Sequence, residues 1–275
     1  MGSHSRIPTR IGGKLAHDRA LPLCNRAARR SVLPVRGHRH VTRVLVLMIA
    51  VASAALCALA QADSPPDPFP LSEGTYWVYQ GLVRYDKPAS KSGGEKKVNW
   101  RMEIVRVFHR DDAVAAIVKG FPDDLNWSTG DAIPAEAMIV RTNDGKVYRI
   151  DSARTGETEK KLRDSRLAVH DLFGPDDLWF QLPLAGSGKA CGEDRANRDD
   201  GMYCWTVEPP VQVPLAGIKG VTAKSAPAFL LSYRTNPDST EMEFVPGVGI
   251  LHYEYHHHGT LADTELQLIE FHHPN

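Results

Sequence analysis

Between Ile250 and Phe271 apolar and polar residues alternate with the two-residue period of a β-strand, on both sides of a single glycine, Gly259. In the first arm Ile250, His252, Glu254, His256 and His258 share one face, and Leu251, Tyr253, Tyr255 and His257 share the other. In the second arm Thr264, Leu266 and Leu268 oppose Asp263, Glu265, Gln267 and Ile269. A tight turn at Gly259-Thr260 pairs Tyr253 with Leu266 and Leu251 with Leu268. It also sets His256 opposite Asp263 and Glu254 opposite Glu265. A slip of one residue would put Tyr253 against Glu265 and mix the faces, so the pattern specifies its own register. One apolar and one polar face describe an antiparallel sheet that is wet on one side.

A lone hairpin is marginal in water, so such an element demands neighbours. The chain supplies them. Strand patterns run through Trp77 and Tyr79, from Val98 to Arg110, from Ala113 to Val118, from Met202 to Glu208, from Ala228 to Arg234 and from Thr240 to Val245. Asn143-Asp144-Gly145 between Met138–Arg141 and Lys146–Ile150 is a hairpin signal. Residues 157–173 form the segment with helical spacing, through Leu162, Arg166 and Val169, and Gly174-Pro175 would end it. The expected fold is mainly β: a curved antiparallel sheet or half-barrel in one domain, 71–275, with at most one substantial helix.

The N-terminal part has another character. Val44–Ala60 is an apolar run, with Arg39 and Arg43 before it and Ala60-Gln61-Ala62 closing it, the layout of a secretory signal peptide over 41–62. Seventeen residues with a small-residue second half fit a cleaved signal better than a membrane span. Leu56 is too large for the residue preceding a lipidated cysteine at Cys57. Residues 1–40 are rich in arginine and read as translated upstream sequence, with Val41 as the true start. A twin-arginine signal around Arg29-Arg30 is the rival account. Residues 63–70, with four prolines, read as an extended leader. The expected location is the periplasm or the medium, with no stable membrane span after cleavage.

Charge then excludes partners. Of 33 Lys+Arg, 10 precede residue 63; of 33 Asp+Glu, only Asp18 does, so residues 63–275 carry 23 − 32 = −9. Nucleic acid, which requires a basic stripe, is not an expected partner. Cys191 and Cys204 flank a polar turn and, in an oxidising compartment, predict a disulfide across a hairpin.

Two patches carry a resemblance. Pro70-Leu71, Gly74, Trp77 and Tyr79 resemble the P-L-x-x-G-x-x-W-x-Y opening of uncharacterised exported bacterial β-rich proteins, and Phe244-Val-Pro-Gly-Val-Gly-Ile250 resembles their closing element. By analogy the fold is similar to the half-barrels of periplasmic lipoprotein carriers. The resemblance implies no activity and no catalytic residues.

Motifs for enzymatic chemistry are missing or incomplete. Gly186-Ser-Gly-Lys lacks the spacing of a phosphate loop, and no G-x-S-x-G elbow or H-E-x-x-H helix occurs. The expected function is therefore an exported envelope binding or scaffold protein, holding an apolar ligand or a protein partner on its sheet. Trp77, Trp100 and Tyr253 are the candidate ligand contacts, since they occupy apolar strand faces. The alternative is a metal-binding protein or metalloenzyme using His252, Glu254 and His256. These alternate on one strand face within reach of Asp263 and Glu265, a donor set that suits Zn²⁺. Apart from that ion, no cofactor is expected.

Overall fold

A computed structural model describes residues 68–86, 93–164, 166–191 and 200–274, all within the unit Asp63–Asn275. The stretches expected to be upstream translation (1–40) and signal peptide (41–62), and most of the expected leader, lie outside the described residues.

Thirteen strands are described: β1 (Tyr76–Tyr85), β2 (Gly94–His109), β3 (Ala113–Lys119), β4 (Glu136–Thr142), β5 (Lys146–Ile150), β6 (Leu178–Gln181), β7 (Gly188–Cys191), β8 (Cys204–Val207), β9 (Val211–Pro214), β10 (Ser225–Arg234), β11 (Asp238–Val245), β12 (Gly249–His257) and β13 (Ala262–His272). Twelve lie on one path, β6-β5-β4-β3-β2-β1-β13-β12-β11-β10-β8-β7, and β9 pairs with β10 beside it. All the strand pairings are antiparallel, and most join strands that are neighbours in sequence. The closing exception is β1 with β13, which ties the first strand to the last. The sheet therefore curls beyond a half-barrel into a nearly closed barrel. Its two ends meet where Trp179 of β6 packs edge-on against Trp205 of β8, 6.1 Å between centroids.

Gly81 permits the curl. A Cβ there would sit 1.8 Å from the carbonyl oxygen of Glu265 on β13. Only a residue without a side chain lets β13 cross β1 that closely, as glycines do at barrel corners.

The barrel interior is filled. Trp77, Tyr79, Tyr253, Phe69, Phe121, Trp179, Phe180 and Phe244 are almost wholly buried, and with Met102, Leu266 and their neighbours they form one core. Phe69, at the end of the expected leader, belongs to this core and stacks on Trp77 and Phe244. The two motif patches meet here. The Trp77 indole donates to the Val248 carbonyl at 2.6 Å, and the Tyr79 hydroxyl donates to Ile250 O at 3.1 Å.

A second, outer core lies on β3–β5, where Ile117, Met138, Val140 and Ile150 are covered by Leu162 and Val169. The covering helix, α1, spans Ser152–Leu162. It starts before the segment expected from spacing and stops earlier. Asp151 caps it, accepting from Arg154 N at 3.0 Å. The Arg110 guanidinium takes the carbonyls of Leu162 at 2.9 Å and Leu167 at 2.7 Å, so the chain leaves the helix there. Val169 lies in a 3-10 turn, Val169–Asp171, not on the helix. The expected disulfide is present, joining β7 to β8 through Cys191 and Cys204. Among the described residues no helix is long and apolar enough to cross a membrane.

Candidate functional site

Trp77 and Trp100 are packed within the barrel, and their indole nitrogens are already bonded to Val248 O and, at 2.7 Å, to Gly120 O. Neither borders a described cavity. Tyr253 does: its ring is buried, and its hydroxyl reaches the mouth of the barrel. The hollow that an apolar ligand would occupy is filled by the aromatic core among the described residues.

The mouth itself holds a cavity of about 310 Å³, at the lower end of the size range for small-molecule sites. Three segments supply most of its wall, with Asp176 and Trp205 beside them. Strand β5 alternates Val147 and Arg149 inward with Tyr148 and Ile150 outward, which places a guanidinium at the inner wall. The loop after β3 brings Phe121, Asp123 and Asn126. Strands β10–β12 contribute Tyr233, Asp238, Tyr253 and Tyr255.

The loop is pinned across the barrel. Asn126 and the Tyr253 hydroxyl exchange hydrogen bonds at 2.8 and 3.1 Å. The Asp124 carboxylate accepts from Ala135 N at 2.8 Å, and half-burial raises its pKa. Trp127, next in the loop, has φ 62 and stays 58% exposed. A bulky residue in the left-handed region costs roughly 1–3 kcal/mol. That strained backbone carries an indole whose centroid is 4.1 Å from the His257 ring, beside the mouth.

Arg149 pairs with Asp123 and lies over the Phe121 ring at 4.4 Å. Its side chain is 24% exposed, yet the Nε atom is buried without a hydrogen-bond partner. Desolvation draws its pKa down. The Trp179 Nε1 is a second buried donor without a partner, on a ring that packs edge-on to the same Phe121 at 5.6 Å. Carboxylates line the same mouth. Asp238 accepts from the Tyr255 hydroxyl at 2.6 Å and sits 2.8 Å from His257 Nδ1. Burial pushes its pKa up, but those bonds and Thr235 outweigh that and hold it below the ordinary value. Burial pushes the Tyr253 hydroxyl well above the phenol range, so it remains protonated. Asp176 completes the rim.

On the opposite, outer surface the hairpin has the register its alternation predicts: Tyr253 faces Leu266, Glu254 faces Glu265 and His256 faces Asp263. His252 Nε2 and His256 Nε2 each lie 3.5 Å from a Glu254 oxygen. The set whose donor atoms converge is His252, Glu254 and Glu265, all within 4.8 Å of one another. His256 turns its Nδ1 to Asp263 at 3.1 Å instead.

No family model matches the chain, and no curated protein matches it. Two solved structures align with 76% of the chain and 100% of their own. One is a candidate exported protein with a YmcC-like fold from Bacteroides fragilis NCTC 9343, at 10% identity and a TM-score of 0.36. The other is a candidate lipoprotein from Parabacteroides distasonis ATCC 8503, at 12% identity and a TM-score of 0.34. Likenesses of this strength carry no argument about function.

Proposed function

We propose that the chain is an exported binding protein of the cell envelope, and that it holds a small hydroxyl-rich ligand of the saccharide class at the barrel mouth. The export half of this reading rests on the Val44–Ala60 run, its Ala60-Gln61-Ala62 close and the Cys191–Cys204 disulfide. The ligand half rests on one observation: a guanidinium, that of Arg149, lines the barrel mouth among aromatic rings and carboxylates.

A hydroxyl is donor and acceptor at once. It can accept from Arg149 and donate to Asp176 or Asp238, which no aliphatic chain can do. The Trp205 and Tyr233 rings, 5.2 Å apart at the rim, offer apolar faces for the C–H side of a pyranose. An apolar ligand would strip water from these charged groups without replacing its hydrogen bonds, which is unfavourable.

The test is calorimetry and tryptophan fluorescence with a panel of neutral and acidic mono- and disaccharides, alongside dodecanoate to octadecanoate. Binding by a saccharide, lost in Arg149→Met while its melting temperature shows the variant folded, is the expected result. Saturable fatty-acid binding without saccharide binding would overturn the assignment and restore the apolar-ligand expectation.

A further inference from the structure

We propose a Zn²⁺ site on the outer face of the hairpin, with His252, Glu254 and Glu265 as its protein ligands. It is separate from the barrel mouth and does not depend on the ligand assigned there.

Two neighbouring rows of side chains cross the same strands and differ in how their charges are balanced. In one row, Ser239, His256, Asp263, Arg84 and Glu95 stand opposite one another on β11, β12, β13, β1 and β2. Its charged groups answer each other, His256 to Asp263 at 3.1 Å and Arg84 to Glu95 at 3.2 Å. The next row reads Glu241, Glu254, Glu265, Leu82 and Lys97. Here three glutamates face each other directly on adjacent strands, where like charges destabilise a sheet. The ion-pair partner of Glu265 is Arg84, at 3.6 Å and shared with Glu95. A row so unlike its neighbour is balanced if a cation sits within it.

The geometry suits such an ion. His252 Nε2 lies 3.5 Å from Glu254 Oε1. Donor atoms about 2.1 Å from a tetrahedral Zn²⁺ stand roughly 3.4 Å from each other. Glu265 must close the remaining gap, from within 4.8 Å, by turning its half-exposed carboxylate inward from the long 3.6 Å contact with Arg84. Imidazole with two carboxylates is a borderline donor set that favours Zn²⁺ over Mg²⁺ or Ca²⁺. Glu241, opposite Glu254, is placed to supply a fourth oxygen, directly or through water. His256 stays outside the ligand set, held by Asp263, and steadies the second oxygen of Glu254 from 3.5 Å.

Zinc calorimetry on protein produced from the full chain without a histidine tag tests the proposal. Three variants are compared: His252→Ala, Glu265→Gln, and a double replacement of His257 and His258 by alanine. One saturable site is expected, weakened at least about tenfold in each of the first two variants and unchanged in the third. Zinc should also raise the melting temperature of the wild type but not of His252→Ala. Absence of saturable binding, retained affinity in either single variant, or loss in the double variant would overturn the assignment. The last outcome would leave only an incidental histidine run.

Discussion

Gly81→Ala should be among the most damaging single-methyl additions in this protein. The new Cβ would lie 1.8 Å from Glu265 O, 2.8 Å from Glu265 C and 2.9 Å from Leu266 Cα, all of them backbone atoms that no rotamer change can move. Carbon and carbonyl oxygen tolerate about 3.3 Å, so β1 and β13 would have to separate by roughly 1.5 Å at this point. Two ladder hydrogen bonds around the Gly81–Leu266 pair would then be lost, at about 1 kcal/mol each. Overpacking strain adds about 1–3 kcal/mol. The sum, roughly 3–5 kcal/mol, is a large part of the 5–15 kcal/mol that holds a typical domain together. Urea unfolding followed by tryptophan emission would measure it, because Trp77, Trp100 and Trp179 are buried in the interior. Gly156→Ala is the control. That glycine lies within α1, where an added Cβ would meet nothing within 4 Å, so alanine there should stabilise by about 0.5–1 kcal/mol. If Gly81→Ala falls within about 1 kcal/mol of wild type, the close approach is not a constraint and the account of barrel closure is wrong.

Replacing both Cys191 and Cys204 by alanine should cost about 3 kcal/mol in the chain-entropy model for a loop of this length, read as a lower urea midpoint with an intact β-type circular dichroism spectrum; an unchanged midpoint would refute it. Acid should destabilise the mouth through Asp238, whose folded pKa is depressed below 3.8: its contribution is full above that value and is lost as pH falls through the folded one. Melting temperatures from pH 6 down to about pH 2.5 should therefore fall less steeply in Asp238→Asn than in wild type, and parallel curves would count against the Tyr255 and His257 bonds as the cause.

What the sequence determined by itself is whatever depends on local period. Side chains alternate along a strand regardless of partner, so the register of β12 on β13, with Glu254 against Glu265 and Tyr253 against Leu266, was legible from spacing. The turn at Asn143-Asp144-Gly145 and the pairing of Cys191 with Cys204 were legible for the same reason: their partners are close in the chain. Helix α1 was misplaced because its ends are set by particular hydrogen bonds, to Asp151 at the start and from Arg110, fifty-two residues before Leu162, at the finish. Arg149 left one trace: it shares a face with Val147 while Tyr148 and Ile150 make the other face apolar too, which marks a charge on a strand buried on both sides. Only the tertiary structure decided what that charge meets. Closing β1 on β13 fills the interior with Trp77 and its neighbours, so the aromatic residues that sequence offered for ligand contact became core. The same closure brings Asp123 and Arg149 to one mouth with Asp238 and Tyr253 of the β11–β12 pair. Burial and contacts between segments far apart in the chain are properties of the closed sheet, and no window of sequence contains them.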